Sequence, residues 1–581
     1  MSAIVLDDVS FAYPSYSSDT PPSNLLRGLS LSVPKGQRIA VMSAIGAGKT
    51  TLALILTGLA PAMTGGKLQG SVSIDGLDAR LMSAAELSTH VGLIFQEPER
   101  QLFTMAVDQE VAFGLEGLAL APVEIRERVA WILDRTGLTG LEDRPPWQLS
   151  GGEKKRLAIA AVLAMEPSVL VLDEPMAGLD PQGRRQVARL LAELTGMTQV
   201  ALEKNAEFVA RWADRVVVLA DGKIAMDGTP HVIFRDVASL KELGIAVPQI
   251  AELADRLRQA GEQVDFLTAQ AAFDRLPQQS SDTGPVTMPA VDCGEKADAS
   301  PELRSGAIDI RELVFSYEDG PRALDGVALQ VPAGQFVAIV GPNGSGKSTL
   351  ARHLNGLLRP QSGTVSVNGL PTEGRHVGDL ARDVGYVFQN PDHQIFAATV
   401  REEIAFGASN LGFSGDALES RVDQALSDFG LEAVAETPPA ILNYGMRKLV
   451  TTASVWVMQP SIWVLDEPFV GLDGRYTGVL KQHLQSLHED GYTIVLISHD
   501  LSIVAEVAER LVVLNRGEVV MDGSVASVLA RTGELARYGL RPPPITRLSR
   551  QLAPLGFPHP ILTVDQFMQQ RRSYSEALVQ G

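Results

Sequence analysis

The sequence predicts a duplicated α/β fold, two parallel-sheet domains in tandem, and three observations predict it. A glycine-rich loop follows an apolar strand and opens a helix twice, at 43–51 and 341–349. Gln389 follows Gln96, Asp466 follows Asp173 and Asn443 follows Ser150, each by 293 residues. So long a period marks duplicated domains, because solenoid repeats run roughly 20 to 50 residues. Finally, the apolar runs Val169–Asp173 and Ile462–Asp466 each end in paired acids, as buried parallel strands do when they deliver carboxylates at their C-terminal ends.

A chain of 581 residues suffices for two domains with separate cores. The domains are expected at 1–275 and 306–581, joined by a linker over 276–305 that is rich in Pro, Ser, Gly and Asp and lacks periodicity. Cys293, the sole cysteine, falls in that linker, which excludes an intramolecular disulfide or a multi-cysteine metal site. A net charge of -19 opposes binding to a phosphate backbone, so nucleic acid is not an expected partner. No apolar run reaches the roughly 20 residues that span a bilayer, and no secretory signal is visible. A cytoplasmic protein is expected.

In the loops Ser43-Ala44-Ile45-Gly46-Ala47-Gly48-Lys49-Thr50-Thr51 and Gly341-Pro342-Asn343-Gly344-Ser345-Gly346-Lys347-Ser348-Thr349, glycines let backbone N–H groups converge on phosphate oxygens. Lys49 and Lys347 would neutralise those oxygens, and Thr50 and Ser348 would ligate Mg2+. Ser43 stands where the pattern expects a glycine, so the turn there must tolerate a side chain. Next come Gln96 and Gln389, each after an apolar strand and placed to touch both the metal and an attacking water. The helix opening at Ser150-Gly151-Gly152 makes an anion cradle, since its unpaired N–H groups and its dipole point the same way. Asp173 and Asp466 would hold Mg2+ through water, and Glu174 and Glu467 would polarise the attacking water as general bases.

With Leu149-Ser-Gly-Gly-Glu153 in place, the chain resembles the ATP-binding cassette (ABC) family over nearly the whole of both halves. The resemblance implies two P-loop NTPase domains, each with an antiparallel β subdomain, a helical signature subdomain and a small C-terminal extension. It also implies ATP and Mg2+ as ligands, and intramolecular head-to-tail pairing in which the P-loop of one half and the signature of the other enclose each ATP. Tyr13 and Tyr317 match the aromatic that stacks on adenine, Asp180 and Asp473 match the loop after the catalytic acid, and His499 matches the switch histidine that meets the γ-phosphate.

The halves are unequal. Leu442-Asn-Tyr-Gly-Met446 replaces the second signature, and Tyr444, in place of a glycine, is expected to block or deform the cradle. Glu203-Lys204-Asn205 replaces Ser498-His499-Asp500. Under head-to-tail pairing the defects gather in the site of the first P-loop, which is expected to bind ATP and hydrolyse it slowly.

A further matched pair, Phe95-Gln96-Glu-Pro98-Glu99-Arg-Gln101-Leu-Phe103 and Phe388-Gln389-Asn-Pro391-Asp392-His-Gln394-Ile-Phe396, resembles a segment of the ATPases of energy-coupling factor (ECF) importers. That resemblance implies a groove around Glu99, Gln101, Asp392 and Gln394 for a transmembrane scaffold (T) protein, which works with a substrate-binding membrane (S) protein. It places the chain peripherally on the cytoplasmic face of the membrane, with a vitamin, a vitamin precursor, nickel or cobalt as cargo. The stretches 226–253 and 521–548 look like the C-terminal extensions of the same ATPases. A fused sugar-importer ATPase should lack the Pro-acid-x-Gln segments, and a translational ABC protein should carry a basic connector. A DNA-repair ATPase would need a coiled-coil or zinc insertion for which there is no room.

Overall fold

The computed structural model describes residues 2–14, 24–276, 306–318, 320–555 and 557–580, so Cys293 and the expected linker lie outside the described residues. The chain forms two compact units, Met1–Thr268 and Ala269–Gly581.

In the first unit a four-stranded antiparallel sheet runs in the order Asn24–Pro34, Ser2–Ala12, Lys67–Ile74, Leu77–Asp78. A six-stranded sheet runs in the order Lys223–Gly228, Arg215–Ala220, Arg38–Ser43, Thr198–Leu202, Val169–Asp173, Val91–Ile94, with only the first strand antiparallel. The last three strands are buried along their whole length, the pattern of parallel strands covered on both faces. Their C-terminal ends share one edge: Asp173 pairs with Leu202, and Ser43 with Leu219. The first P-loop after Ser43, Gln96 after Val91–Ile94, and Asp173 with Glu174 lie on or just beyond that edge, where ligands of open α/β sheets bind.

The second unit repeats the plan. Its six-stranded sheet is ordered Val384–Val387, Ile462–Asp466, Thr493–Ile497, Phe336–Val340, Arg510–Asn515, Glu518–Ser524. Beside each sheet stands a three-helix layer: Val107–Glu116, Pro122–Thr136 and Gly151–Leu163 in the first unit, Val400–Asn410, Asp416–Asp428 and Tyr444–Trp456 in the second. Interdigitated apolar side chains such as Ile404, Leu426, Phe429 and Leu449 hold the second of these layers together.

The division between units precedes the expected boundary at residue 275. Helix Ala269–Arg275 packs against helix Pro544–Leu552 of the C-terminal extension and so belongs to the second unit.

Candidate functional site

Both P-loops turn into their helices at a glycine in the left-handed region, Gly48 at φ 97° and Gly346 at φ 99°. A Cβ on Gly346 would meet the Ala323 carbonyl oxygen at 2.4 Å, so the close approach admits no side chain. The loops differ at their first residue. Gly341 lies beyond its strand, and a Cβ there would stand 2.1 Å from the Leu514 carbonyl oxygen. Ser43 instead ends its strand, paired to Leu219, with its side chain turned inward and 3% exposed. Its hydroxyl donates to Ala44 O at 2.8 Å and accepts from Lys49 Nζ at 2.8 Å, while Lys49 also donates to Ser43 O at 2.7 Å. In the second loop Lys347 donates to the carbonyls of Gly341 and Pro342, each at 2.9 Å, and to Ser345 Oγ at 3.4 Å. The residue matching Ser345 is Ala47. Each loop therefore supplies its lysine with one serine hydroxyl, from opposite ends of the turn. Burial, and after it the nearby Lys204 charge, bring Lys49 down to about 8. The tyrosines sit against these helices: Tyr13 Oη is 3.1 Å from Thr51 Oγ1, Tyr317 Oη is 3.2 Å from Thr349 Oγ1, and each ring stands edge-on to a phenylalanine. Tyr317 remains 43% exposed, which leaves ring surface for a planar base.

The acids follow the neighbouring strand. Glu174 and Glu467 adopt φ of 45° and 49°, a left-handed conformation that costs roughly 1–3 kcal/mol in a residue with a side chain and clusters at functional sites. Their N–H groups donate to Leu202 O (2.8 Å) and Ile497 O (3.0 Å), tying each acid to the end of the strand that leads into residues 203–205 or 498–500. Burial, and next the Glu174 charge, push Asp173 up to about 6, opposed by the Thr50 hydroxyl beside it. Burial likewise raises Asp466, against which Ser348 lies and whose Oδ2 accepts from Tyr386 Oη at 3.3 Å. Asp466 Oδ1 is buried without a protein partner. An orphaned carboxylate oxygen beside a hydroxyl fits a small hard cation, and Mg2+ is commonly held by one or two carboxylates plus substrate phosphates rather than by a full protein cage. No group of three or more His, Cys, Asp or Glu with metal-site spacing occurs among the described residues.

Two side chains then separate the units. Lys204 Nζ lies 2.8 Å from Glu174 Oε1, whereas His499 Nδ1 lies 2.8 Å from Glu467 Oε1. Glu203, at the position of Ser498, is a buried extra acid in the first unit; its Oε2 has no hydrogen-bond partner, and burial, then Glu174, push it up to about 8. Nothing in the spacing of the sequence marked Glu203, because its character comes from burial.

At the signature helices, Ser150 forms a capping box with Glu153, leaving Gly151 and Gly152 at the open N-terminus. Asn443 caps the second helix by accepting from Met446 N–H, and the cap backbones nearly coincide: φ −64°, ψ 158° at Ser150 and φ −65°, ψ 162° at Asn443. The expected deformation by Tyr444 is absent. A Cβ on the matching Gly151 meets nothing within 4 Å, so the helix start has room for a side chain. The Tyr444 ring instead lies back on Gly471, and its hydroxyl donates to Gln389 O at 3.1 Å. One turn on, buried Lys155 donates to Phe95 O (2.8 Å) and Gln96 O (3.0 Å). Lys448, its counterpart, donates to Phe388 O (3.0 Å) and Glu467 O (3.1 Å). Burial brings both lysines down to about 8. Sequence reasoning missed this pair, although the repeat interval could have found it.

Gln96 is half-buried and Gln389 exposed after their strands. Of the four groove residues, Glu99 and Asp392 reach the surface but are ion-paired, Glu99 to Lys154 at 3.0 Å and Asp392 to Arg447. Gln101 and Gln394 turn inward: Gln101 Nε2 donates to Leu93 O at 3.3 Å, and Gln394 Nε2 to Thr451 O at 3.1 Å. They brace the loop. The exposed apolar surface comes from edge-on aromatic pairs, Phe103 with Phe113 and Phe396 with Phe406, in which Phe103 is 65% and Phe396 64% exposed.

A family model described as ABC transporter matches residues 26–177 and 324–470, just over half of the chain. A protein of Caldanaerobacter subterraneus subsp. tengcongensis, named as an ABC transporter ATP-binding protein, is 36% identical over 571 residues, spanning 94% of this chain and 96% of its own. A protein of the same description from Methanosarcina acetivorans is 36% identical over 569 residues, spanning 96% and 92%. Among solved structures, cbiO1 from Clostridium perfringens, described as part of the ABC transporter complex cbiONQ, is 34% identical over 40% of this chain and 94% of its own, with a TM-score of 0.36.

Proposed function

The chain belongs to the ABC transporter family, a tandem ATPase that binds ATP with Mg2+, and on that premise we propose that it powers an importer of the energy-coupling factor type through one fast and one slow ATP site. Residues of the second unit carry turnover in this reading. Lys347 and the loop amides hold the phosphates, Ser348 and Asp466 hold Mg2+, and Gln389 and Glu467 orient and polarise the water, with His499 fixing Glu467. Bound there, Mg2+ would neutralise the negative charge of the phosphates. Ser150, Gly151 and Gly152 would complete that site under the head-to-tail pairing implied by the resemblance. In the first unit the ammonium of Lys204 occupies the carboxylate that would serve as base, so ATP is held there more than hydrolysed.

The observation that carries the importer reading is the matched pair of exposed aromatics beside the Gln96 and Gln389 loops. Single exposed apolar residues are ordinary, but the same edge-on pair at the same place in both units, rimmed by Glu99 or Asp392, suits an apolar helix with a basic end. A transmembrane scaffold protein, in contact with a substrate-binding membrane subunit, would supply it. No helix among the described residues is long and apolar enough to cross a membrane.

The test is affinity purification of the tagged chain from detergent-solubilised membranes, with Phe103→Ala/Phe396→Ala beside the wild type. Recovery of two small integral membrane proteins, lost in the double variant while ATP binding persists, is the expected result. Recovery of ribosomes, or of sugar-importer permeases, would overturn the reading.

A further inference from the structure

Tyr444 sits in the signature that the sequence shows as damaged, yet its contacts run to the catalytic loops of its own unit. Its hydroxyl donates to Gln389 O, the carbonyl of the glutamine after the Val384–Val387 strand. Its ring covers Gly471 in the loop after Glu467: a Cβ on Gly471 would stand 2.5 Å from the ring, while one on the matching Gly178 meets nothing within 4 Å. The neighbouring lysines register the change. In the first unit, where residue 151 is glycine, Lys155 takes the carbonyls of both Phe95 and Gln96. In the second unit the Gln389 carbonyl belongs to Tyr444, and Lys448 holds the carbonyl of Glu467 instead.

We infer that Tyr444 is a positioning residue for ATP hydrolysis in the second unit: its hydroxyl fixes Gln389 through the backbone and leaves Lys448 to anchor Glu467. The inference rests on the reading that the second unit's acids carry turnover. The tyrosine thus replaces one function of its segment with another. A glycine there would offer open backbone to a phosphate; the tyrosine ties three segments, 389, 444 and 471, into one body around the reacting water. Groups that orient primary ligands are typically worth about 10- to 100-fold in activity or metal affinity.

The experiment uses the full-length protein and compares Tyr444→Phe, which keeps the ring and removes only the hydroxyl, with Tyr444→Gly, which restores the first glycine of the family signature. Steady-state ATPase is measured against ATP and Mg2+, and ATP affinity with a fluorescent ATP analogue. Expected for Tyr444→Phe are a kcat lowered about 10-fold, a half-saturating Mg2+ concentration raised several-fold and nucleotide affinity within about twofold of wild type. Tyr444→Gly should lose at least as much. A wild-type kcat in Tyr444→Phe, or a raised kcat in Tyr444→Gly as repair of a damaged signature would give, overturns the inference. Glu467→Gln separates the two levels. If it abolishes turnover while Tyr444→Phe is unaffected, the positioning role alone fails; if turnover survives it, the underlying reading fails and the inference with it.

Discussion

Lys204 holds Glu174 in an ion pair of 2.8 Å, at the place where His499 meets Glu467 in the other unit. The two contacts have equal length and different chemistry. An ammonium is a point charge that fixes the carboxylate as its counter-ion, and three N–H donors bring no acceptor to the site. An imidazole bound through Nδ1 presents Nε2 on the opposite side of its ring, so one residue can steady the base and reach a second group.

On the proposed division of labour, Glu467→Gln is expected to lower steady-state ATP turnover by about 10²-fold or more, because it would remove the base of the faster site. Glu174→Gln should retain at least half of the wild-type rate. Phosphate release by purified protein at saturating MgATP checks both, and equal losses would refute the division of labour.

Exchanging the switch residues should give an asymmetric result as well. His499→Lys is expected to cut turnover about 10²-fold, the usual cost of losing a preorganised group, with ATP still bound. Lys204→His should change the rate by no more than about twofold, since the first unit also retains Glu203 and Ser43 where the second has Ser498 and Gly341.

The P-loop hydroxyls predict a rescue. Ser43→Gly removes a ligand of Lys49 and should weaken ATP binding at the first site about 3- to 10-fold, one modest hydrogen bond to a charged group. Adding Ala47→Ser should recover most of it by restoring the arrangement of Ser345. Gly341→Ala has no such remedy, because the new Cβ would meet the Leu514 carbonyl at 2.1 Å, and nucleotide binding by the second loop should be lost. Isothermal titration of the three variants decides.

Glu203 predicts a pH-dependent stability. Its ordinary value of 4.5 rises to about 8 on folding, so the folded state holds the proton more tightly than the unfolded chain. The carboxyl therefore costs stability increasingly as pH rises from about 4.5 towards 8, and little below 4.5. Glu203→Gln should match the wild type in thermal melts at pH 4.5 and exceed it by about 3 °C or more at pH 8.5, at roughly 3 °C per kcal/mol for a unit of this size.

Much of the fold and site is legible in the chain because the signals are local. A glycine pattern between strand and helix, or an apolar run ending in two acids, specifies a backbone path, and Lys49 and Lys347 open helices while Asp173 and Asp466 end buried strands. The shared capping task of Ser150 and Asn443 was not read from the sequence and emerges from the structure, where both accept a backbone N–H at the helix start despite different side chains. The backbone deformation expected at Tyr444 is not found, since a sequence shows that a glycine is gone but not which way the new ring turns. Gln101 and Gln394 recur with Glu99 and Asp392, and adjacency alone could not separate inward braces from outward acids. Helix Ala269–Arg275 follows the first domain in sequence and docks on the second unit, a preference fixed by the distant surface of Pro544–Leu552.

The left-handed turn at Glu174 is kept in the first unit together with its hydrogen bond to Leu202, although the neighbouring side chains have changed. Skeleton and side chains have come apart there: the backbone turn shared with Glu467 survives around a Glu174 whose carboxylate is paired with Lys204. On the proposed division of labour, converting one half's behaviour into the other's would then take side-chain replacements alone, with no loop to rebuild.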